Sequence, residues 1–303
     1  MGKFLNINKH DYYLLEPKNL SKDVKRSCIA FIHGFPDTVM TWHDQLTHFK
    51  ELGYHTFSFG LKGYYTNSLH PEDDTVEVSQ FDVSDIAADY VKLMSSFESS
   101  CSDWHLVGHD WGAILGRAML PLAEKSSVRI SSFTSVAIPE LSSFLSTAVF
   151  NAPIQVLNSW YFFFFQLPFW PEQWLLRKGL RNTLHSWTTV QSEAHHKHVF
   201  HALAHSSAIT SAAVHYYRRN IIPLSGILSS ELMTLVRDPV SQYVPTLYVA
   251  GANDNCISPK MFISSPSVNI EVIGRSGHYP HLEQPEKFNS LLLRHIGITS
   301  RSI

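Results

Sequence analysis

Asp110, Asp254 and His278 stand where chemistry can start in this sequence. Asp110 lies in "VGHDWG" (107–112), Asp254 in "GANDNCISP" (251–259) and His278 in "GRSGHYPHLEQP" (274–285). Gly108 and Gly112 flank Asp110 in a small–x–acid–x–small pattern. That is the shape of a sharp strand-to-helix turn, whose strained centre tolerates only small neighbours. Gly277 frees the backbone just before His278. A carboxylate with a reference pKa of about 3.9 is ionised at neutral pH without help from a base. It is a modest nucleophile, suited to saturated carbon carrying a strained or good leaving group, and it leaves an ester on the protein. A histidine oriented by a second carboxylate can then activate water against that ester.

These residues need elements to aim them. Apolar runs at 28–35, 54–60, 104–108, 131–138, 246–251 and 268–273 read as strands. Residues 82–97 place Val83, Ile86, Tyr90, Leu93, Met94 and Phe97 at helical spacing, and 113–123 and 285–296 also read as helices. The alternation implies an α/β fold: a mostly parallel central sheet with helices on both faces. Residues 140–238 break the pattern, being helical, aromatic and rich in histidine. The expected organisation is a core of 1–139 and 239–303 with an inserted helical lid at 140–238. Asp110, Asp254 and His278 each follow a strand, where open α/β sheets carry their sites. Alone, "GHDWG" reads equally well as a polar turn. Three such residues at three strand ends, ordered nucleophile, acid, histidine, favour the order of an α/β-hydrolase.

"HGFPDTVMTW" (33–42) follows the first of these strands. Its turn can aim the Phe35 N–H at the site, with the Trp111 N–H as a second donor in an oxyanion hole. Phe35-Pro36 is a candidate cis peptide, since proline tolerates that form. Together, "HGFPD", "GHDWG", "GANDNCISP" and "SGHYPHLEQP" resemble the motifs of α/β-hydrolase-fold epoxide hydrolases and of the related haloalkane dehalogenases, over nearly the whole chain. One segment departs. Where the family usually has Asp-x-Arg/Lys-Gly-Tyr-Gly, this chain has "FGLKGYYTNS", with Gly60 for the acid and Tyr65 for a glycine.

The resemblance implies Asp110 as nucleophile, His278 as general base and Asp254 as its orienting acid. The two families differ in the leaving group. A halide needs only hydrogen-bond donors, whereas an epoxide oxygen needs a proton, which a phenol with pKa near 10 supplies. "WYFFFFQLPFWPE" (160–172) resembles one lid segment of epoxide hydrolases and "VHYYRRN" (214–220) the other. They carry over Tyr161 and Tyr217 as ring-opening acids and leave Tyr216 to packing. Any single one of the 12 tyrosines would read as core; two in matching segments read as catalytic. Phe162, Phe165 and Trp170 are expected to line an apolar substrate pocket. The alternatives are a dehalogenase with the same nucleophile, its halide held by Trp111, and a non-catalytic ligand-binding member of the fold.

Composition limits the rest. The 303 residues are 44% hydrophobic with net charge −2 and no basic stripe, so nucleic acid is not an expected partner. The expected partners are a small apolar epoxide and water, with no cofactor, no metal and no stable membrane anchor. The apolar stretch 160–170 is short and cut by Pro168. No secretory leader is evident, and Cys28, Cys101 and Cys256 are odd in number and far apart. That pattern predicts no disulfide and a cytoplasmic location. In "HHKHVFHALAH" (195–205), His198, His201 and His205 share a helical face, but no H-E-x-x-H occurs, so a packed or solvated face is expected.

Overall fold

Short runs rich in apolar residues become buried strands in a computed structural model of the chain. It describes residues 2–18, 20, 24–65, 76–141, 147–148, 150, 152–189, 193–204, 207–222, 227–228, 234, 240, 243–262 and 269–300. The strands are β1 (Gly2–Ile7), β2 (His10–Leu15), β3 (Arg26–Ile32), β4 (His55–Phe59), β5 (Cys101–His109), β6 (Ile130–Val136), β7 (Ile221–Ile222), β8 (Ile227–Leu228), β9 (Thr246–Gly251) and β10 (Asn269–Ile273). The helices are α1 (His43–Glu51), α2 (Val83–Ser95), α3 (Trp111–Ala123), α4 (Ile154–Asn158), α5 (Trp160–Phe164), α6 (Trp170–Trp174), α7 (Leu180–Trp187), α8 (Glu193–Leu203), α9 (Ser207–Asn220), α10 (Pro280–Glu283) and α11 (Pro285–Ser300).

Eight strands form one sheet in the order β1-β2-β4-β3-β5-β6-β9-β10. From β4 to β10 every neighbour is parallel. Parallel strands covered by helices on both faces are buried on both sides, and β4 and β9 are buried at every residue, β4 including the polar His55, Thr56 and Ser58. Phe31, Trp42, Phe49, Val107, Phe288 and Leu292 form one apolar layer, into which α1 and α11 pack. A larger layer holds Tyr90, Leu106, Leu115 and Phe133, from α2, β5, α3 and β6, and runs on into α7 and α9. The chain leaves β3 in one direction to reach β4 and in the other to reach β5. This is the topological switch that opens a crevice at the carboxyl strand ends.

Two findings differ from the sequence reading. Residues 2–15, to which it assigned no element, form an antiparallel hairpin. Its turn is Asn8-Lys9, both at positive φ (50° and 70°); two-residue hairpins need that conformation, and lysine does not advertise it. Second, Cys28 and Cys101 form a disulfide across 73 residues, which corrects the expectation of none. The separation in sequence misleads because β3 and β5 are neighbours in the sheet, bringing the two Cα atoms to 5.6 Å. Cys256 is the one free cysteine and is buried. The cysteine count therefore no longer speaks for a reducing compartment. No described helix is long and apolar enough to cross a membrane.

Candidate active site

β5 ends at His109 and α3 begins at Trp111, so Asp110 alone makes the turn, at φ 50° and ψ −121°. The turn depends on the absence of side chains around it. A Cβ on Gly108 would stand 2.2 Å from the Gly112 carbonyl oxygen, and one on Gly112 would stand 2.2 Å from that of Ile32. The Phe35-Pro36 bond is cis, and the Phe35 N–H donates to Asp110 Oδ1 at 2.8 Å. The Trp111 N–H opens α3, among the first amides for which a helix has no internal acceptor.

Asp254 follows β9. Its Oδ1 accepts the N–H groups of Cys256 (2.7 Å) and Ile257 (2.9 Å), while Oδ2 lies 2.8 Å from His278 Nδ1. The other ring nitrogen, His278 Nε2, is 3.6 Å from Asp110 Oδ2. Burial alone would discharge His278, but Asp254 and then Asp110 hold its proton and raise its pKa to about 10. Burial likewise opposes the charge of Asp110, yet the adjacent His278 and the Phe35 N–H bring its pKa below the ordinary value. The imidazole thus bridges two buried carboxylates.

The tyrosines come from helices between β6 and β9. Tyr161 (α5) and Tyr217 (α9) are buried, with ring centroids 5.8 Å apart. Tyr217 packs edge-on against Phe35 (5.6 Å) and Trp111 (5.0 Å), the residues flanking Asp110 in space and in sequence. Burial above all raises both phenols well beyond the usual range, so they hold their protons. The Tyr161 hydroxyl lies 3.4 Å from Cys256 Sγ, and that of Tyr217 is buried beside the Trp111 side chain. Tyr216 turns away and donates to the Lys62 carbonyl at 3.3 Å.

A cavity of about 380 Å³ lies beside this cluster, lined by Phe35, Tyr161, Phe165, Trp187 and others. Of the residues expected to line it, Phe165 does so. Phe162 packs on Tyr161 and Tyr217 behind it. Trp170 does not: it is 70% exposed, because α6 turns Pro171 and not Trp170 inward. The histidine run sits on α8 with His196 buried and His198 and His201 exposed; His205 lies outside the described residues. Among the described residues a different group, Asp37, His109 and His281, brings one ligand-capable atom from each to within 4.8 Å of the others.

A family model described as "Alpha/beta hydrolase family" matches residues 29–291. The chain belongs to that family. The hydrolase is similar to Epoxide hydrolase 3 of Xenopus tropicalis, 24% identical over 289 residues, which cover 90% of this chain and 72% of the relative. It is also similar to Epoxide hydrolase 4 of Homo sapiens, 22% identical over 87% of this chain and 70% of the relative. Among solved structures it resembles a Bacillus megaterium epoxide hydrolase in complex with an inhibitor, with TM-score 0.73 and 17% identity. That match covers 97% of this chain and 100% of the other, and at such identity it is a likeness of fold.

Several residues that position the hydrolase site escaped sequence reasoning. Glu283 accepts the N–H groups of Gly277 (3.0 Å), Tyr279 (3.2 Å) and Thr189 (2.7 Å), and so shapes the loop around His278. The Trp187 carbonyl accepts the His278 N–H at 2.8 Å. Gln166 donates to the carbonyls of Tyr217 (3.3 Å) and Ile221 (3.4 Å), and Arg218 to that of Phe165 (3.0 Å). This clasp holds the two tyrosine-bearing segments together. Gln166 and Arg218 stand in the quoted motifs, but only the fold shows that each reaches the other segment.

Proposed function

We propose that this hydrolase opens an apolar epoxide to a vicinal diol through an ester on Asp110, under a helical lid formed by 140–238. The observation that carries the reading is the pairing of two buried, protonated phenols, Tyr161 and Tyr217, the second of them packed on Phe35 and Trp111 beside a buried carboxylate. A serine-type hydrolase needs no such acids opposite its nucleophile. The names of its relatives support the same reading.

Asp110 Oδ1 is engaged by the Phe35 N–H, which leaves Oδ2 to attack an epoxide carbon. The carbon–oxygen bond of the ring breaks, and the leaving oxygen takes a proton from Tyr161 or Tyr217. The new ester has no negative charge, so His278 loses one of the two carboxylates that hold its proton. Its pKa falls, its proton passes to the phenolate left by ring opening, and neutral Nε2 can then accept a proton from water as that water attacks the Asp110 carbonyl carbon. The oxygen already facing the Phe35 N–H becomes the oxyanion, with the Trp111 N–H as second donor. Collapse releases the diol, whose oxygen takes the proton from His278, and the Asp110 carboxyl then returns its proton to the imidazole, restoring the resting pair.

The test is mass spectrometry of the His278→Gln variant incubated with an apolar epoxide. An adduct of the epoxide's mass on the peptide containing Asp110, with no steady diol formation, is the expected result. An unmodified peptide would sink the covalent route. A parallel assay on haloalkanes, scoring halide, separates this activity from dehalogenation.

A further inference from the structure

Among the described residues thirteen large apolar side chains are exposed, and nine of them fall between Phe150 and Trp170. Leu157 is 69% exposed, Trp160 54%, Phe163 56% and Phe169 81%. Scattered apolar side chains need no explanation, but a concentration in one stretch marks a surface that meets something apolar. Residues 141–171 contain no Asp, Glu, Lys, Arg or His. The helices there are short: α5 turns Tyr161 inward and leaves Trp160 and Phe163 outward.

The edge of this face is positive. The first charge after it, Glu172, is taken by Arg218 in a 2.5 Å ion pair. Beyond it Arg177, Lys178 and Arg181 are all exposed. Arg181 adjoins Asn182, which borders the 380 Å³ cavity together with Leu157 and Trp160. The apolar face, its basic edge and the cavity therefore meet.

We propose that this face docks on the surface of a bilayer containing anionic lipid, with its aromatic side chains in the headgroup boundary. An uncharged aromatic face beside exposed cations matches that surface in both respects, and tryptophan is enriched at that depth. A second copy of the same face supplies no acid to Arg177, Lys178 or Arg181. The contact is peripheral, since no described helix is long and apolar enough to span the membrane. The proposal is independent of which bond the site cleaves.

The experiment is sedimentation of the full chain with vesicles of phosphatidylcholine, alone or mixed with phosphatidylglycerol. The wild type is expected to sediment with the mixed vesicles, with a blue shift of tryptophan emission. Phe163→Gln with Phe169→Asn should lower the bound fraction about ten-fold, since it removes buried apolar area. Asparagine suits position 169, where φ is 64°. Arg177→Glu with Lys178→Glu should abolish the preference for phosphatidylglycerol. Thermal melting of each variant checks folding without reference to activity. Wild-type protein left in the supernatant with both vesicles would overturn the proposal, as would undiminished binding by the double phenylalanine variant. A dimer that this variant dissociates, with no vesicle binding, would assign the face to self-association instead.

Discussion

At the scale of single residues the site turns on one imidazole between two carboxylates. His278 keeps its proton because Asp254 and Asp110 both face it. Removing the charge of Asp110 should therefore lower the pKa of His278. In Asp110→Asn the His278 ring signals, followed by NMR, should titrate at lower pH than in the wild type; an unchanged midpoint would show that Asp110 does not hold that proton. The same shift has a sign for stability. A folded pKa raised to about 10 means that the proton stabilises the fold fully below about pH 6.5 and is lost as pH rises toward 10. Urea midpoints of wild type and His278→Gln should thus converge at alkaline pH. The phenols are tested by Tyr161→Phe with Tyr217→Phe, which should slow epoxide opening by at least about 10²-fold, the usual worth of a positioned acid. Rates close to wild type would remove them from the reaction.

Among the elements, the segment after β4 shows how two departures can answer each other. A Cβ on Gly60 would stand 2.6 Å from the Tyr65 ring, and the Tyr65 hydroxyl accepts the Val39 N–H at 2.8 Å. Tyr65 also stacks on Tyr13 at 4.5 Å. The tyrosine occupies the space that a side chain at 60 would need; residues 66–68 of the quoted motif lie outside the described residues. Gly60→Asp alone should destabilise by about 1–3 kcal/mol through overpacking, and Tyr65→Gly by about 3 kcal/mol through the void. The double variant should cost less than the sum by about 1 kcal/mol or more, measured by chemical denaturation. Strict additivity would refute the pairing. This coupling was invisible in sequence because it joins two residues only through a turn, whereas β3, β5, β6 and β9 were legible as short runs rich in apolar residues. Asp110 was legible for a related reason: its glycines are adjacent in sequence as well as in space. The Glu283 bond to Thr189 and the Gln166–Arg218 clasp were not, since each joins segments distant in the chain.

At the level of the whole molecule, what escaped the sequence was adjacency. Strand order places β3 beside β5, and so joins Cys28 to Cys101. Denatured without reductant, the protein should present one reactive thiol, that of Cys256, and three after reduction. Two or more before reduction would rule out the bond. Loop closure over a separation of 73 residues suggests that Cys28→Ser with Cys101→Ser costs roughly 4 kcal/mol, read as a lowered melting temperature. The bond also has a mechanical meaning. β3 runs toward Phe35 and β5 toward Asp110, so the clamp lies at the far ends of the two strands that present the oxyanion donor and the nucleophile. Pulled by its termini, the oxidised chain would transmit force straight from Cys28 to Cys101, and the loop between them would carry none. Its fully stretched length would fall short of that of the reduced chain by about 250 Å. β4, α1 and α2 would remain shielded from the load.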